Sequence, residues 1–280
     1  MSRLTQDLYR SLCALPAGEV SSLGACLVRE VWSRAGKDTT RERAAPASAG
    51  QLVATDLAAG RVPVETAAFN NALRFAEQQS KSAASDGAVE PVCAAAPVFA
   101  ATALAEARKA DFAMLFHAAG LGIEAYTRLA ASLARGTRHK AFDGRVIAAT
   151  LASIVACAYI EKLTPEQAAQ ALGLGSSAVT AMAQGYLPLQ AATAARDGIV
   201  MVLLMRCDFR GPPDPLACRW GVYDVFGDVA DIPTLEVVTA AVRAGETVRR
   251  SFGASPDRPA AHVPLQSPVS VAQFLTGRAG

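Results

Sequence analysis

Apolar residues recur along this chain at the three-to-four spacing of amphipathic helices. The pattern predicts helices over residues 3–14, 19–35, 67–79, 93–108, 111–134, 144–161, 165–172, 176–183 and 190–208. Leu15-Pro16-Ala17-Gly18 parts the first two, and in the third Phe69, Leu73 and Ala76 share a face. Val146 to Ile160 is an almost unbroken apolar run between Arg145 and Glu161. It is shorter than the roughly 20 residues a membrane span needs, and reads as a buried core helix. After it, Thr164 offers an N-cap, Pro165 suits the first helical position and Gln167 completes a capping box. Gly173 is expected to stop that helix, with a restart at Ser176. Residues 41–49 and 80–92 read as loops. No alternating runs flank an Asn-Gly or Asp-Gly turn, and no fixed period repeats, so the expected fold class is all-α.

Residues 1–228 read as one helical domain, within which Trp220 to Gly227 forms a packed loop or short helix. Beyond it, 234–251 has helical spacing and 252–268 is rich in Pro, Ser and Ala, so 229–280 is expected to be an appendage rather than a domain. Composition sharpens this picture. With 51% hydrophobic residues but only 6% aromatic, the core must be built from Ala, Leu and Val, which suits closely packed helices. A net charge of +2 offers no electrostatic footprint for nucleic acid. Cys13, Cys26, Cys93, Cys157, Cys207 and Cys218 contain no C-x-x-C pair and mostly sit in apolar helical text. They read as buried free thiols of a reducing cytoplasm, without zinc or disulfides. Met1 to Leu8 lacks the apolar stretch of a signal peptide. The expectation is a cytoplasmic protein that needs neither membrane nor nucleic acid.

Several pieces of text, taken in order, carry a resemblance. They are Leu15-Pro-Ala-Gly-Glu-Val20, Ala67-Ala-Phe-Asn-Asn-Ala-Leu73, Ala101-Thr-Ala-Leu-Ala-Glu-Ala107 and Gly122-Ile-Glu-Ala-Tyr-Thr-Arg128. Ala148-Ala149, Leu163-Thr-Pro-Glu-Gln-Ala-Ala-Gln-Ala-Leu-Gly-Leu174, Ala194-Ala-Arg-Asp-Gly-Ile199 and Phe209-Arg-Gly-Pro212 follow. Over about residues 4–227 this resembles the MmgE/PrpD family, which includes 2-methylcitrate dehydratase and cis-aconitate decarboxylase. The resemblance implies a large all-α domain and an active site between it and a smaller α/β lid. Text for the lid is absent here, apart from Gln266 to Phe274, which looks like a remnant of one of its segments.

The family's polar motifs have changed type in this chain. Its Asn-Gly, His and Asp-x-Asp-Asp text corresponds to Asn70-Asn71-Ala72-Leu73-Arg74-Phe75-Ala76-Glu77-Gln78, and its His-Pro to Glu90-Pro91. Its Thr-Gly corresponds to Asp143-Gly144, and its Lys-x-x-His to Leu187-Pro188-Leu189-Gln190. Dehydrating or decarboxylating a tricarboxylate needs cations for the carboxylates and a positioned acid–base pair. Each such loss costs a factor of about 10² to 10⁴. The substitutions therefore argue against citrate-like substrates.

The candidate catalytic residues that remain are Asp143, His139 and Glu77, with Arg145 as an anion clamp. Asp143 also fits a plain helix cap in a solvated basic loop, and Glu77 a surface carboxylate. Phe75, Gln78, Ile147, Tyr186, Leu187 and Gln190 are the candidate substrate-binding residues around them. His117 reads as a satisfied core histidine, since no second ligand stands at metal spacing, and His262 has no partner text. Gly173-Leu174-Gly175-Ser176-Ser177 lacks the strand and lysine of a phosphate loop. No metal or cofactor is implied. Two readings stand. One is a repurposed lyase, isomerase or cyclase that moves a proton beside a carbonyl in a larger, more apolar biosynthetic intermediate. The other is a non-catalytic pseudoenzyme that serves as a binding or partner subunit. Both anticipate an oligomer, most simply a homodimer.

Overall fold

A computed structural model describes residues 3–35, 52–57, 60–82, 89–133, 142–179, 183 and 185–226. Among these the elements are α1 (Leu4–Cys13), α2 (Ala17–Ala35), β1 (Val53–Asp56), β2 (Gly60–Pro63), α3 (Val64–Ser82), α4 (Val89–Ala107), α5 (Phe112–Leu133), α6 (Gly144–Ile160), α7 (Pro165–Ala178), α8 (Leu187–Arg206) and α9 (Val222–Phe226). The all-α expectation holds.

α4, α6 and α8 run in one direction. Arg108 after α4 and Arg206 ending α8 both bond Glu161 after α6, while Val92 of α4 meets Ala191 of α8 near their starts. α3 and α5 run the other way: Ala76 late in α3 joins the Val92–Ala191 cluster, and Leu133 ending α5 lies against Gly144 starting α6. α2 packs along α5, and α7 fills the angle between α6 and α8.

Small residues set the spacing. A Cβ on Gly24 of α2 would strike the carbonyl of Phe116, and one on Gly120 of α5 would strike that of Val20, so these helices cross backbone against backbone. Gly198 likewise lets α8 reach α6, where an added Cβ would lie 2.5 Å from the Ser153 side chain. Large side chains occupy the gaps left over: Trp32 meets Phe99 edge-on at 5.3 Å, and Phe75 meets Phe99 at 5.6 Å.

Three sequence expectations need correction. α7 does not stop at Gly173 but runs unbroken from Pro165 to Ala178, with the Thr164–Gln167 capping box in place. Gly173 and Gly175 are there for space, since a Cβ on either would collide with Pro212 or Ile154. α3 and α4 each reach into the anticipated 80–92 loop. The β1–β2 hairpin was not expected. Its register pairs Val53 with Pro63 and Asp56 with Gly60, and two buried carboxylates, Glu106 from α4 and the hairpin's own Asp56, tie it to the helices. Glu106 accepts from the Thr55 N–H and hydroxyl, both at 2.7 Å, and pairs with Arg61. Asp56 accepts from Asn70 at 2.7 Å and Arg74 at 2.8 Å. Four-residue strands carry too little pattern to register in a sequence, and tertiary hydrogen bonds hold this pair.

Of the cysteines, only Cys93 and Cys157 are buried; Cys13 and Cys207 are exposed, and Cys26 and Cys218 lie between, all as free thiols. The 227–280 expectations and His262 lie outside the described residues. α1 is tied to the body by Thr5, whose N–H and hydroxyl donate to Asp214 at 3.1 and 2.6 Å. Among the described residues, α8 alone is a single helix long and apolar enough to cross a membrane, with 56% of its apolar window buried inside the protein; α1 and α2 pass the same test only as a pair, bent by 88°.

The three parallel helices end alike. Ala110, Leu163 and Phe209 donate six residues' span back to Ala105, Ala158 and Leu204, and the preceding residues Lys109, Lys162 and Asp208 sit at φ 54°, 54° and 62°. This is the Schellman closure with a side chain where glycine is favoured. Lys109→Gly and Asp208→Gly should each raise stability by roughly 0.5–1 kcal/mol, a left-handed penalty of about 1–2 kcal/mol partly offset by glycine's unfolded-state freedom. Gly24→Ala should cost about 1–3 kcal/mol through overpacking. Urea unfolding of the variants checks both signs.

Candidate functional site

The N-terminal ends of α4, α6 and α8 gather at one end of the bundle, together with the C-terminal halves of α3 and α5. Most of the candidate residues lie there. Asp143 caps α6, its Oδ1 accepting the Arg145 N–H at 2.9 Å. The Arg145 guanidinium folds back on the same carboxylate, Nε to Oδ1 and Nη2 to Oδ2, both at 3.0 Å. The hydrogen bond to Asp143 holds the Arg145 guanidinium above its ordinary pKa, and Cys93 and Tyr126 stand near enough to add to the shift. Asp143 is thus both the simple cap and half of a fork-shaped ion pair. Beside it, Phe142 sets its ring edge against Phe226 at 5.0 Å.

The second pair joins distant parts of the chain. Tyr186 precedes α8 and donates its hydroxyl to Glu77 of α3 at 3.3 Å. Loss of surrounding water and the Glu77 carboxylate together push the Tyr186 phenol up from its ordinary pKa. Tyr186 gives α8 no side-chain cap, and Pro188 has no N–H, so the Leu187 and Leu189 N–H groups of the first turn receive no bond from the Tyr186 side chain. Leu187 packs on the cluster of Ala76, Val92 and Ala191, while Leu189 is exposed. Gln78 and Gln190 are half-buried, each on an element that borders this end.

Two expected lining residues lie elsewhere. Phe75 and Ile147 are fully buried in the main core, Phe75 against Phe99, so they support the site's floor rather than line a surface. Alternation along a helix identifies an apolar face but not whether that face meets a cleft or another helix. His139 lies outside the described residues. Among the described residues, no hydrogen bond or ion pair links Asp143 or Arg145 to Glu77 or Tyr186, so the structure forms two pairs rather than one cluster. No group of three potential metal ligands gathers among the described residues.

Sequence reasoning passed over a buried charge pair on α5. Arg128, with a side chain only 3% exposed, faces Glu124 at 3.5 Å. The i,i+4 spacing was visible but is the ordinary signature of a surface pair. His117 is a core residue as expected, its Nδ1 3.3 Å from the Ser21 hydroxyl and its ring 4.7 Å from Tyr159.

The fold and this bundle end define a helical domain of small-residue packing whose polar end carries a tyrosine–glutamate pair and an aspartate–arginine pair. The chain belongs to the MmgE/PrpD family: the model of the MmgE/PrpD N-terminal domain matches residues 32–234. No curated protein matches the chain.

Burial lowers the His117 pKa below 6.5. The unfolded chain therefore binds the proton more readily, so stability is full above pH 6.5 and falls as pH drops from 6.5 through the lower folded value. His117→Gln, which keeps a partner for Ser21, should flatten that part of the curve when urea midpoints are compared between pH 7 and 5.

Proposed function

We propose that this end of the bundle binds a relatively apolar small molecule carrying a carbonyl and moves a proton beside it, in a lyase, isomerase or cyclase reaction of a biosynthetic kind. The observation that carries the reading is the Tyr186–Glu77 hydrogen bond, which brings an acid and a base from separate elements to one place. Glu77 takes the proton from the carbon next to the carbonyl. Tyr186 then turns its hydroxyl to the carbonyl oxygen, and the developing enolate gains from the uncapped N–H groups at the start of α8. Leu187 and exposed Leu189 offer apolar contact where a tricarboxylate would need cations, so citrate-like acids are not the substrates. Arg145, half-exposed at the α6 start, offers a cation for a single anionic group once its pair with Asp143 opens. The working form is a homodimer in the cytoplasm, without cofactor, nucleic acid or membrane.

The alternative reading is a non-catalytic partner subunit. It is favoured by the closed Asp143–Arg145 fork, which leaves neither group free for chemistry without first breaking the pair.

The test is untargeted mass spectrometry of metabolite extracts incubated with the protein. The expected result is a compound consumed by the wild type, with turnover lowered about 10² to 10⁴-fold in Glu77→Gln and Tyr186→Phe while binding is kept. Equal turnover in both variants would remove the proposed acid and base. Absence of any turnover, alongside a stable protein complex, would favour the partner subunit.

A further inference from the structure

The opposite end of the bundle holds an open groove of about 600 Å³, bordered by the α1–α2 turn, the start of α5 and the α6–α7 junction. Tyr159, on its wall, lies about 22 Å along α6 from Gly144, by the rise of an α-helix. The groove is therefore separate from the Glu77–Tyr186 end, and its reading is independent of the proposed function. Tyr9, Met114, Tyr159 and Leu163 give it a mainly apolar, partly aromatic lining. Tyr159 is backed by the His117 ring at 4.7 Å. Tyr9 and Cys13 share a hydrogen bond, and burial pushes both the phenol and the thiol upward. The polar part of the floor therefore stays uncharged at neutral pH.

Charge enters only at the rim. Arg10 is occupied, with Asp7 at 3.0 Å and Glu166 at 2.9 Å. Asp111, which lies near Tyr159, accepts the Met114 N–H at 2.7 Å as a cap. Lys162 is exposed and its ammonium has no ion pair or hydrogen bond among the described residues. Its left-handed backbone is not itself a sign of function, because Lys109 and Asp208 share it. What distinguishes Lys162 is its place: an unpaired cation beside an aromatic, uncharged groove of ligand size.

We propose that this groove binds a planar aromatic carboxylate, with the rings of Tyr9 and Tyr159 in contact with the aromatic body and Lys162 pairing with the carboxylate. The probe is 2-naphthoate, with neutral 2-naphthamide as its control, and the readout is the rate at which N-ethylmaleimide alkylates Cys13, followed by peptide mass spectrometry. 2-Naphthoate should slow alkylation of Cys13 but not of Cys207. The amide should bind about two- to fivefold more weakly, the range of an exposed ion pair. Lys162→Gly should lose the same factor while its melting temperature rises, because glycine relieves the left-handed backbone; loss of binding then cannot be loss of fold. Lys109→Gly should gain stability and keep full binding. Unchanged Cys13 alkylation at millimolar 2-naphthoate would overturn the proposal, and so would equal protection by the amide or undiminished binding in Lys162→Gly.

Discussion

The close approach of α2 to α5 at Gly24 and Gly120, and of α8 to α6 at Gly198, governs everything else in this domain. Where backbones touch, every neighbouring side chain must be small, and alanines fill the facing positions of α4, α6 and α8. Dispersion contacts then come from many near-optimal atom pairs rather than a few large groups. Such a core has little slack, and volume changes of a methyl group are felt. Large buried residues such as Trp32, Phe75, Phe99 and Tyr126 therefore stand at fixed gaps in the lattice of helices.

Parallel alignment of α4, α6 and α8 makes the two ends chemically unlike. At the C-terminal end, Glu161 is only 5% exposed yet fully engaged, by Arg108, by Arg206 Nε at 3.2 Å, and with its own carbonyl accepting from Arg206 Nη2 at 2.5 Å. The two arginines also oppose the negative ends of the helix dipoles. A carboxylate buried this deeply would be strongly destabilising if either arginine were lost. The N-terminal end is not self-satisfied in the same way: α8 begins without a side-chain cap, and Tyr186, Leu189 and Phe142 are exposed. At one end the buried charge is spent on holding the helix ends together, and at the other the helix starts carry exposed side chains.

Most of the fold was legible because its helices are long and carry their periodicity and caps within themselves. The Thr164-Pro165-Gln167 start was readable to the residue. What was not legible depended on distant neighbours. Gly173 lies inside α7 where Pro212 leaves no room for a Cβ, and the hairpin is held by Glu106 of α4 and by Asn70 and Arg74 of α3, which bond Asp56. The site was half legible for the same reason. Glu77, Tyr186, Asp143 and Arg145 were named as candidates by type and position, but which of them pair is a tertiary fact. Phe75 and Ile147 were read onto a cleft because an apolar helix position does not state what covers it.

The two pairs at the N-terminal end differ in what they say. Asp143 and Arg145 are two residues apart, so helix α6 alone can form their fork, and it fixes the cap more than it reports on the fold. Tyr186 and Glu77 are 109 positions apart and meet only when α3 and α8 are packed. At 3.3 Å and exposed to competing water, their bond contributes little stability. It is too weak to be what positions the α8 start, which Pro188 and the Leu187 contacts already fix. A weak bond between an acid and a base at an unfilled helix start is also easily exchanged for a bond to a ligand. The proton transfer proposed above would use that exchange.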